Sequence, residues 1–209
     1  MGVFTHWPNR ITMMRLVGAA VLFVLLALIA ERNPADVRGW IHISFWLFVV
    51  TAATDFLDGW LARRDNLVSA FGRIADPFCD KVLIVGSLVF LSVVEWDPQG
   101  RSLFPAWIVV VIIAREFLVT GLRGYAESIG TEFGADFFGK VKMTVQCIAV
   151  GELLFMHSFD WSTVTALGVD WVGFWWWFGR VLVAVTLIST VLSGANYVVK
   201  SRHLLAAAE

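Results

Sequence analysis

The sequence predicts an all-α, polytopic membrane protein with six transmembrane helices. The first observation behind this prediction is composition: of 209 residues, 58% are hydrophobic and 16% are charged, whereas average soluble domains are about 45–50% apolar and about 25% charged. The second is that apolar runs long enough to cross the hydrocarbon core, roughly 20 residues each, recur from one end of the chain to the other. The same composition excludes a disordered chain, which needs low hydrophobicity and high net charge.

The predicted spans follow one another with short polar breaks and without a Ser-, Gly- or Pro-rich linker, which predicts a single membrane domain over residues 1–209. We expect residues 203–209 to be a disordered tail or an expression scar. The first apolar run ends in a poor cleavage site, so we expect a retained helix rather than a signal peptide. The six spans are residues 11–30, 40–61, 76–94, 105–129, 133–157 and 174–199.

Six spans place both termini on one side of the membrane, and basic residues select that side. Twelve basic residues lie on the side of the termini: Arg10, Arg15, Arg63, Arg64, Arg73, Lys81, Arg115, Arg123, Lys140, Lys142, Lys200 and Arg202. Four lie opposite: Arg32, Arg38, Arg101 and Arg180. The positive-inside rule then predicts cytoplasmic termini in the cell (inner) membrane. The opposite side is expected to carry a belt of interfacial tryptophans: Trp40, Trp96, Trp107, Trp161, Trp171 and Trp175 to Trp177.

Four aspartates lie where the second predicted helix ends and the third begins, on the side predicted to be cytoplasmic. At about 100° per residue, Asp55 and Asp58 share one helix face, and so do Asp76 and Asp80. An ionised aspartate at a helix centre costs about 2.5–3.5 kcal/mol in a membrane, so four together are not expected by chance. If the two helices pack antiparallel, the carboxylates converge and their repulsion is relieved by a divalent cation. Oxygen ligands favour Mg²⁺, Mn²⁺ or Ca²⁺ over zinc or copper.

Simpler interpretations of these residues stay open. Asp76 before Pro77 is also typical of a helix N-cap followed by proline at the first helical position. Asp58 and Arg63 are compatible with an ordinary ion pair. Small residues nearby allow close helix packing or leave room for a flat ligand: Gly59, Ala62 and Gly72. The two cysteines, Cys79 and Cys147, lack metal-binding spacing and are expected to be buried small apolar residues.

This stretch resembles the signature of the CDP-alcohol phosphotransferase (CDP-alcohol phosphatidyltransferase) family, D-x2-D-G-x2-A-R-x8-G-x3-D-x3-D. Every fixed position is satisfied: Asp55, Asp58, Gly59, Ala62, Arg63, Gly72, Asp76 and Asp80. The six-span layout is similar to that of the family as well. The resemblance implies an enzyme in which a hydroxyl attacks the phosphate next to the lipid of a CDP-linked donor and CMP leaves. It also implies two bound divalent cations, Mg²⁺ or Mn²⁺, and a homodimer.

The resemblance further implies a role for each residue of the signature. The metal ligands would be Asp55, Asp58, Asp76 and Asp80, and Asp80 would also be the general base for the incoming hydroxyl. The cytidine and phosphate pocket would be lined by Gly59, Ala62, Arg63 and Gly72.

A second polar group on the same side comes from the fourth and fifth spans. Arg115 and Arg123 are eight residues apart, roughly 80° around a helix, and Lys140 and Lys142 begin the fifth span. Together they predict a basic pocket beside the aspartates, and its natural occupant is an anionic group such as phosphate. The alternative is positive-inside anchoring by side chains that snorkel to the interface.

These residues also resemble the phosphatidylglycerophosphate synthase branch of the family, together with Arg10, Thr12 and Arg15 near the start of the chain, although Met143 stands where that branch commonly carries Thr. The branch uses sn-glycerol 3-phosphate as acceptor. We therefore expect CDP-diacylglycerol, sn-glycerol 3-phosphate and membrane lipid as partners, and no nucleic acid, since the net charge is -1. Inositol phosphate, phosphatidylglycerol and serine stay open as acceptors. A divalent-cation transporter is the alternative from another functional class, although the carboxylates lie toward one face and no internal repeat is visible.

Overall fold

The computed structural model describes residues 7–65, 70–94, 96, 102–130, 137–164 and 168–206. For residues 7–9, 55–77, 80 and 203–206 within these ranges, only the backbone is described. This part of the chain contains six long helices and one short 3₁₀ turn, Trp161–Thr163. The prediction of an all-α fold with six helices is therefore confirmed. The helices are α1 (Trp7–Ala30), α2 (Arg38–Asp65), α3 (Ala70–Val93), α4 (Ala106–Ser128), α5 (Phe137–Ser158) and α6 (Trp171–Ala206).

Two helices extend well beyond the spans predicted from hydropathy. Helix α3 begins at Ala70, not at Asp76, so Asp76 and Pro77 lie inside the helix and the interpretation of Asp76 as an N-cap is wrong. Because proline has no N–H, the carbonyl of Arg73 lacks its usual donor four residues later. Helix α6 is 36 residues long and ends at Ala206. Residues 203–206 are therefore helical, and the rest of the expected tail, 207–209, lies outside the described residues.

The helices form a bundle with two distinct ends. Helix α1 packs against α2 and α3, α5 packs against α2 and α6, and α4 packs against α3 and α6. At one end, here called the α1–α2 end, α1 and α3 finish and α2 and α6 begin. At the other, the α2–α3 end, α2 finishes, α3 and α5 begin, and α6 finishes. The four aspartates of the signature are at the α2–α3 end.

Most of the bundle interior is apolar, although polar and charged side chains such as Arg115, Lys142 and Glu152 are also buried there. Its most buried side chains include Leu22, Leu26, Ile41, Leu88, Leu91, Ile112 and Leu153, each 1% exposed or less. Many large apolar side chains on the outer faces are exposed, among them Val24, Val50, Val110 and Ile188. This is what a protein surrounded by lipid requires, because no hydrophobic penalty is attached to an apolar outer surface there.

Two segments among the described residues are long and apolar enough, by length and composition, to cross a membrane. They are Arg10–Ala30 and Trp171–Arg202, whose most apolar 18-residue stretches have a mean hydropathy of 2.5 and 1.8. Helices α4 and α5 are apolar over most of their length, and their charged residues lie in the middle of the helix or toward the α2–α3 end, except Glu152 on α5.

Helices α1 and α3 approach each other closely at one glycine. A Cβ atom built on Gly86 would lie 2.8 Å from Cε1 of Phe23 and closer still to Cζ. The Phe23 ring also contacts that of Phe90, with 5.6 Å between the ring centroids. The absence of a side chain at residue 86 thus lets the ring of Phe23 pack directly on the α3 backbone.

The α1–α2 end carries aromatic contacts and an ion pair between described side chains. The rings of Trp96 and His157 are in tilted contact, with 4.2 Å between their centroids, and Nη1 of Arg38 lies 2.5 Å from Oδ2 of Asp160. The hydrogen bond from the Ser162 hydroxyl, together with that from Arg38, lowers the pKa of the Asp160 carboxyl below its ordinary value. A cavity of about 850 Å³ opens at this end, bordered by Trp96, Trp161 and Trp176 among others.

Candidate active site

The candidate active site has two parts, and the first is the aspartate signature. Asp55 and Asp58 lie in the last three turns of α2, whereas Asp76 and Asp80 lie near the beginning of α3, so each pair keeps its helical spacing and shares a face. Helices α2 and α3 are in contact. The side chains of these aspartates lie outside the described residues, and their convergence on bound cations stays a prediction.

The residues expected to line the cytidine pocket are on the same two helix ends. Gly59, Ala62 and Arg63 belong to the last turns of α2, and Gly72 to the first turn of α3. Their side chains also lie outside what the structure describes. Among the side chains that it does describe, no group of three or more His, Cys, Asp or Glu residues could hold a metal ion.

The second part of the site is a cavity of about 250 Å³ between α3, α4, α5 and α6 at the α2–α3 end. All four basic residues predicted to form an acceptor pocket line it: Arg115, Arg123, Lys140 and Lys142. Lys81 also lines the cavity, and it directly follows Asp80 in the sequence. The structure therefore brings the predicted basic residues together next to the aspartate signature.

Arg115 is held inside the bundle by groups on two helices. Its side chain is 9% exposed, and its Nη1 donates to Oε1 of Glu116 over 2.9 Å. Its Nη2 donates to the hydroxyl oxygen of Ser193 on α6 over 2.5 Å. Gly194 leaves room for the Arg115 stem, since a Cβ there would lie 3.1 Å from Cγ. The guanidinium thus has a fixed position at the cavity wall.

Lys142 reaches the same carboxylate from α5. It is 5% exposed, and its Nζ donates a hydrogen bond to Oε1 of Glu116. Glu116 is the single acidic residue among the described lining of the cavity, against the basic residues Lys81, Arg115, Arg123, Lys140 and Lys142. The cavity therefore has a large excess of positive charge, which favours an anionic ligand.

Comparison with known proteins identifies the family. Residues 5–192 match the CDP-alcohol phosphatidyltransferase family. The chain belongs to this family.

Three relatives in this family are similar to the chain over most of its length. It is 34% identical to the CDP-diacylglycerol--glycerol-3-phosphate 3-phosphatidyltransferase of Bacillus subtilis (strain 168), over 95% of this chain and 96% of that protein. It is 28% identical to the protein of the same name from Rickettsia bellii (strain RML369-C), over 94% of this chain and 96% of the relative. It is 30% identical to a cardiolipin synthase (CMP-forming) of Streptomyces coelicolor, over 84% of this chain and 80% of the relative.

Membership confirms the resemblance seen in the signature. The chain is a CDP-alcohol phosphatidyltransferase, a transferase of phospholipid biosynthesis in a family of membrane proteins. The family generally uses a divalent metal, and the donor set of this phosphatidyltransferase fits one, because four carboxylates on two adjacent helices supply the hard oxygen ligands that Mg²⁺ and Mn²⁺ prefer. The divalent-cation transporter finds no support in these comparisons.

Burial separates the basic residues of the phosphatidyltransferase into two groups. Arg115 and Lys142 are enclosed within the bundle, so the alternative that they snorkel to the lipid surface is wrong. Lys140 is exposed and Arg123 is half-buried, so for these two the alternative of anchoring stays open on burial alone.

The contribution of α6 and of Lys81 to the site was not predicted from the sequence. Nζ of Lys81 donates to Oγ1 of Thr120 over 2.5 Å, and Nε2 of Gln146 in the cavity wall donates to Oγ1 of Thr190 over 3.3 Å. In the sequence, α6 carries hydroxyl-bearing residues at intervals of three and four, and residues so spaced lie on one face of a helix. This pattern could have indicated that α6 contributes to the site. The residues are all buried in the phosphatidyltransferase bundle: Thr186, Thr190, Ser193, Tyr197 and Ser201.

Proposed function

We propose that the chain transfers the phosphatidyl group of CDP-diacylglycerol to sn-glycerol 3-phosphate, giving phosphatidylglycerophosphate and CMP. The observation that carries this proposal is the strongly basic cavity beside the aspartate signature, with one carboxylate among its described lining. Relatives named for this activity match nearly the whole chain in length. The proposed enzyme is a CDP-diacylglycerol--glycerol-3-phosphate 3-phosphatidyltransferase.

In the proposed reaction, the basic cavity holds the phosphate of the acceptor and leaves its glycerol part pointing toward α2 and α3. The acceptor hydroxyl attacks the phosphorus that carries the diacylglycerol. One O–P bond forms, the bond from that phosphorus to the oxygen of CMP breaks, and Asp80 takes the hydroxyl proton. The signature glycines and Arg63 position the cytidine and pyrophosphate.

The aspartates Asp55, Asp58, Asp76 and Asp80 would hold two divalent ions, Mg²⁺ or Mn²⁺. Such ions, when bound, neutralise the pyrophosphate and stabilise the entering and leaving oxygens. The chain's own contribution is then alignment: Arg115 and Lys142 are already fixed by Glu116 and Ser193 before the acceptor arrives.

The size and charge of the cavity support a small phosphorylated acceptor. A volume of about 250 Å³ is slightly below the usual range of ligand pockets, about 300 to 1,000 Å³, and so suits a compact polyol phosphate better than a second lipid. Charge-assisted hydrogen bonds from guanidinium groups to a phosphate are short and strong. Serine carries no phosphate and would leave the basic residues unsatisfied.

Orientation and assembly belong to the same proposal. The distribution of basic residues supports a site and termini on the cytoplasmic side of the membrane. Family resemblance supports a homodimer.

An acceptor panel tests the proposal. Purified protein in nanodiscs receives labelled CDP-diacylglycerol with sn-glycerol 3-phosphate, inositol phosphate, phosphatidylglycerol or serine, in Mg²⁺ and in Mn²⁺ separately. We expect metal-dependent CMP release that sn-glycerol 3-phosphate stimulates most. Stimulation by phosphatidylglycerol alone would reassign the acceptor, in line with the cardiolipin synthase relative. Release with none of the acceptors would contradict the enzyme itself.

A further inference from the structure

Two arginines of the acceptor cavity share one aromatic ring on α6. We propose that Tyr197 is a positioning residue: it holds the guanidinium groups of Arg115 and Arg123 in the arrangement that receives the acceptor phosphate. The inference rests on the proposed function and assigns a role to a residue outside both the aspartate signature and the basic set.

The contacts of Tyr197 are specific. Nη2 of Arg123 donates to the phenol oxygen of Tyr197 over 2.5 Å, and the guanidinium carbon of Arg123 lies 5.3 Å from the ring centroid. The guanidinium carbon of Arg115 lies 5.7 Å from the same centroid. Both distances are within the range of about 6 Å for cation–π attraction. Tyr197 is 2% exposed, and such attraction is stronger where the groups are desolvated.

The ring of Tyr197 offsets the electrostatic repulsion between Arg115 and Arg123. Arg115 and Arg123 stand about 12 Å apart along α4 by helical rise, yet both side chains line one cavity, where their positive charges repel. A further carboxylate between the two arginines, in addition to Glu116, would relieve that repulsion but cancel more of the charge needed for phosphate. An aromatic ring attracts both cations through its quadrupole and carries no charge of its own, so the cavity stays basic.

Ser193 gives the same kind of support one turn earlier on α6, since its hydroxyl oxygen accepts from Nη2 of Arg115. Each guanidinium has five N–H donors, so these contacts leave donors for a ligand. The Nε atoms of Arg115 and Arg123 are buried, and within the described residues neither finds a hydrogen-bond partner. A buried donor without an acceptor is costly, and the oxygens of a bound phosphate would supply acceptors.

The test uses two substitutions and a matched control. Tyr197→Phe keeps the ring and removes the hydroxyl, whereas Tyr197→Leu removes both. Tyr125→Phe is the control, because Tyr125 is the other of the two tyrosines in the chain, lies on α4 and is 37% exposed. The readouts are kcat, the KM for each substrate, and the Kd of sn-glycerol 3-phosphate and of inorganic phosphate by calorimetry.

We expect Tyr197→Phe to raise the KM and Kd for sn-glycerol 3-phosphate about tenfold, equivalent to about 1.4 kcal/mol, and Tyr197→Leu to raise them further. The Kd of inorganic phosphate should rise in parallel. The KM for CDP-diacylglycerol and kcat should stay within about twofold of the wild type, and Tyr125→Phe should change none of these values. If Tyr197 had a merely structural role, the substitutions would instead lower kcat and weaken the binding of both substrates together. That result would overturn the inference.

Failure of the inference and failure of the proposed function are distinguishable. If the wild type uses sn-glycerol 3-phosphate and Tyr197→Phe leaves the KM and the phosphate Kd unchanged, the role of Tyr197 is overturned and the proposed function stands. If the wild type does not use sn-glycerol 3-phosphate, the proposed acceptor is wrong. The Kd of inorganic phosphate then decides Tyr197 alone: a rise in the variant supports its role, and an unchanged value overturns it.

Discussion

The carboxylate of Glu116 on α4 accepts a hydrogen bond from the ammonium group of Lys142 on α5, 26 residues further along the chain. Both side chains are largely buried, with 11% and 6% of their surface exposed. The same oxygen of Glu116 also accepts from Arg115. One carboxylate therefore ties α4 to α5 and orients two of the cations that line the candidate acceptor pocket.

Replacing Glu116 with glutamine should destabilise the fold. Removing one partner of a buried ion pair leaves an uncompensated charge and costs about 3 kcal/mol or more. The thermal unfolding midpoint in detergent should fall clearly for Glu116→Gln and stay unchanged for the control Glu127→Gln, whose side chain is exposed on the same helix. Added phosphate should recover more stability in Glu116→Gln than in the wild type, because an anion can replace the lost charge. Equal recovery in both would contradict this account of the pocket.

A methyl group at Gly86 should loosen the packing of α1 on α3. Because Phe23 occupies the space that a Cβ would need, Gly86→Ala should cost about 1–3 kcal/mol, the usual penalty of overpacking. Gly121→Ala is the matched control: outside its own helix backbone and its chain neighbours, no described atom lies within 4 Å of its Cβ position, and alanine favours a helix by about 0.8–1.0 kcal/mol over glycine. Thermal unfolding of the two variants should shift in opposite directions. A stable Gly86→Ala would show that the ring of Phe23 moves aside freely.

Glu152 on α5 offers a stabilising substitution. Its side chain is 7% exposed, yet its Oε1 finds no hydrogen-bond partner among the described residues. An unsatisfied buried polar group costs about 1–3 kcal/mol, so Glu152→Met, which keeps an unbranched chain, should raise the unfolding midpoint. Glu127→Met at an exposed position should not. A lower midpoint for Glu152→Met would reveal a stabilising partner of this carboxylate.

Asp76 tests the proposed metal ligands. Loss of one carboxylate from a site that neutralises the pyrophosphate removes several kcal/mol of transition-state stabilisation, so Asp76→Asn should lower CMP release about a thousandfold or more. Asp36→Asn, a change at an exposed residue between α1 and α2, should retain full activity. Substantial activity of Asp76→Asn in saturating Mg²⁺ would remove Asp76 from the ligand set.

Asp160 gives a pH-dependent prediction at the other end of the bundle. Its pKa is lowered below the ordinary value of 3.8, first by the Ser162 hydroxyl and then by Arg38. A lowered pKa in the folded state means that the ionised carboxylate stabilises the fold above the ordinary pKa and loses this effect as the pH falls through the lowered one. Asp160→Asn should therefore reduce the unfolding midpoint slightly at neutral pH, and the difference from the wild type should vanish in acid. A difference that is constant with pH would exclude the charge as its cause.

The parts of this protein that could be predicted from its sequence are those that depend on local chemistry. The aspartates at intervals of three and four, and the apolar runs between polar breaks, follow from helical geometry and the cost of charge in lipid. The start of α3 could not be found in the same way. Hydropathy marks the stretch that suits lipid, whereas backbone hydrogen bonding continues through Gly72 and Arg73 to Ala70.

The packing of α6 against its neighbouring helices could not be predicted from the sequence either. Ser193 and Tyr197 carry no charge, and nothing in a single sequence states that α6 packs against α4. Their hydroxyl groups become informative once Arg115 and Arg123 are seen against them. The basic residues could be predicted from their charge, but the uncharged groups that hold them in place depend on tertiary packing.

The length of α6 has a practical consequence for imaging. Its 36 residues form a rod about 54 Å long, well beyond the thickness of the hydrocarbon core, about 30 Å. A chain of 23.3 kDa gives little contrast in electron micrographs. A helix that extends beyond the membrane is a point at which a larger protein can be attached rigidly. A helical scaffold protein joined without a break after Arg202 would continue the rod and turn rigidly with the bundle, so that small particles could be aligned.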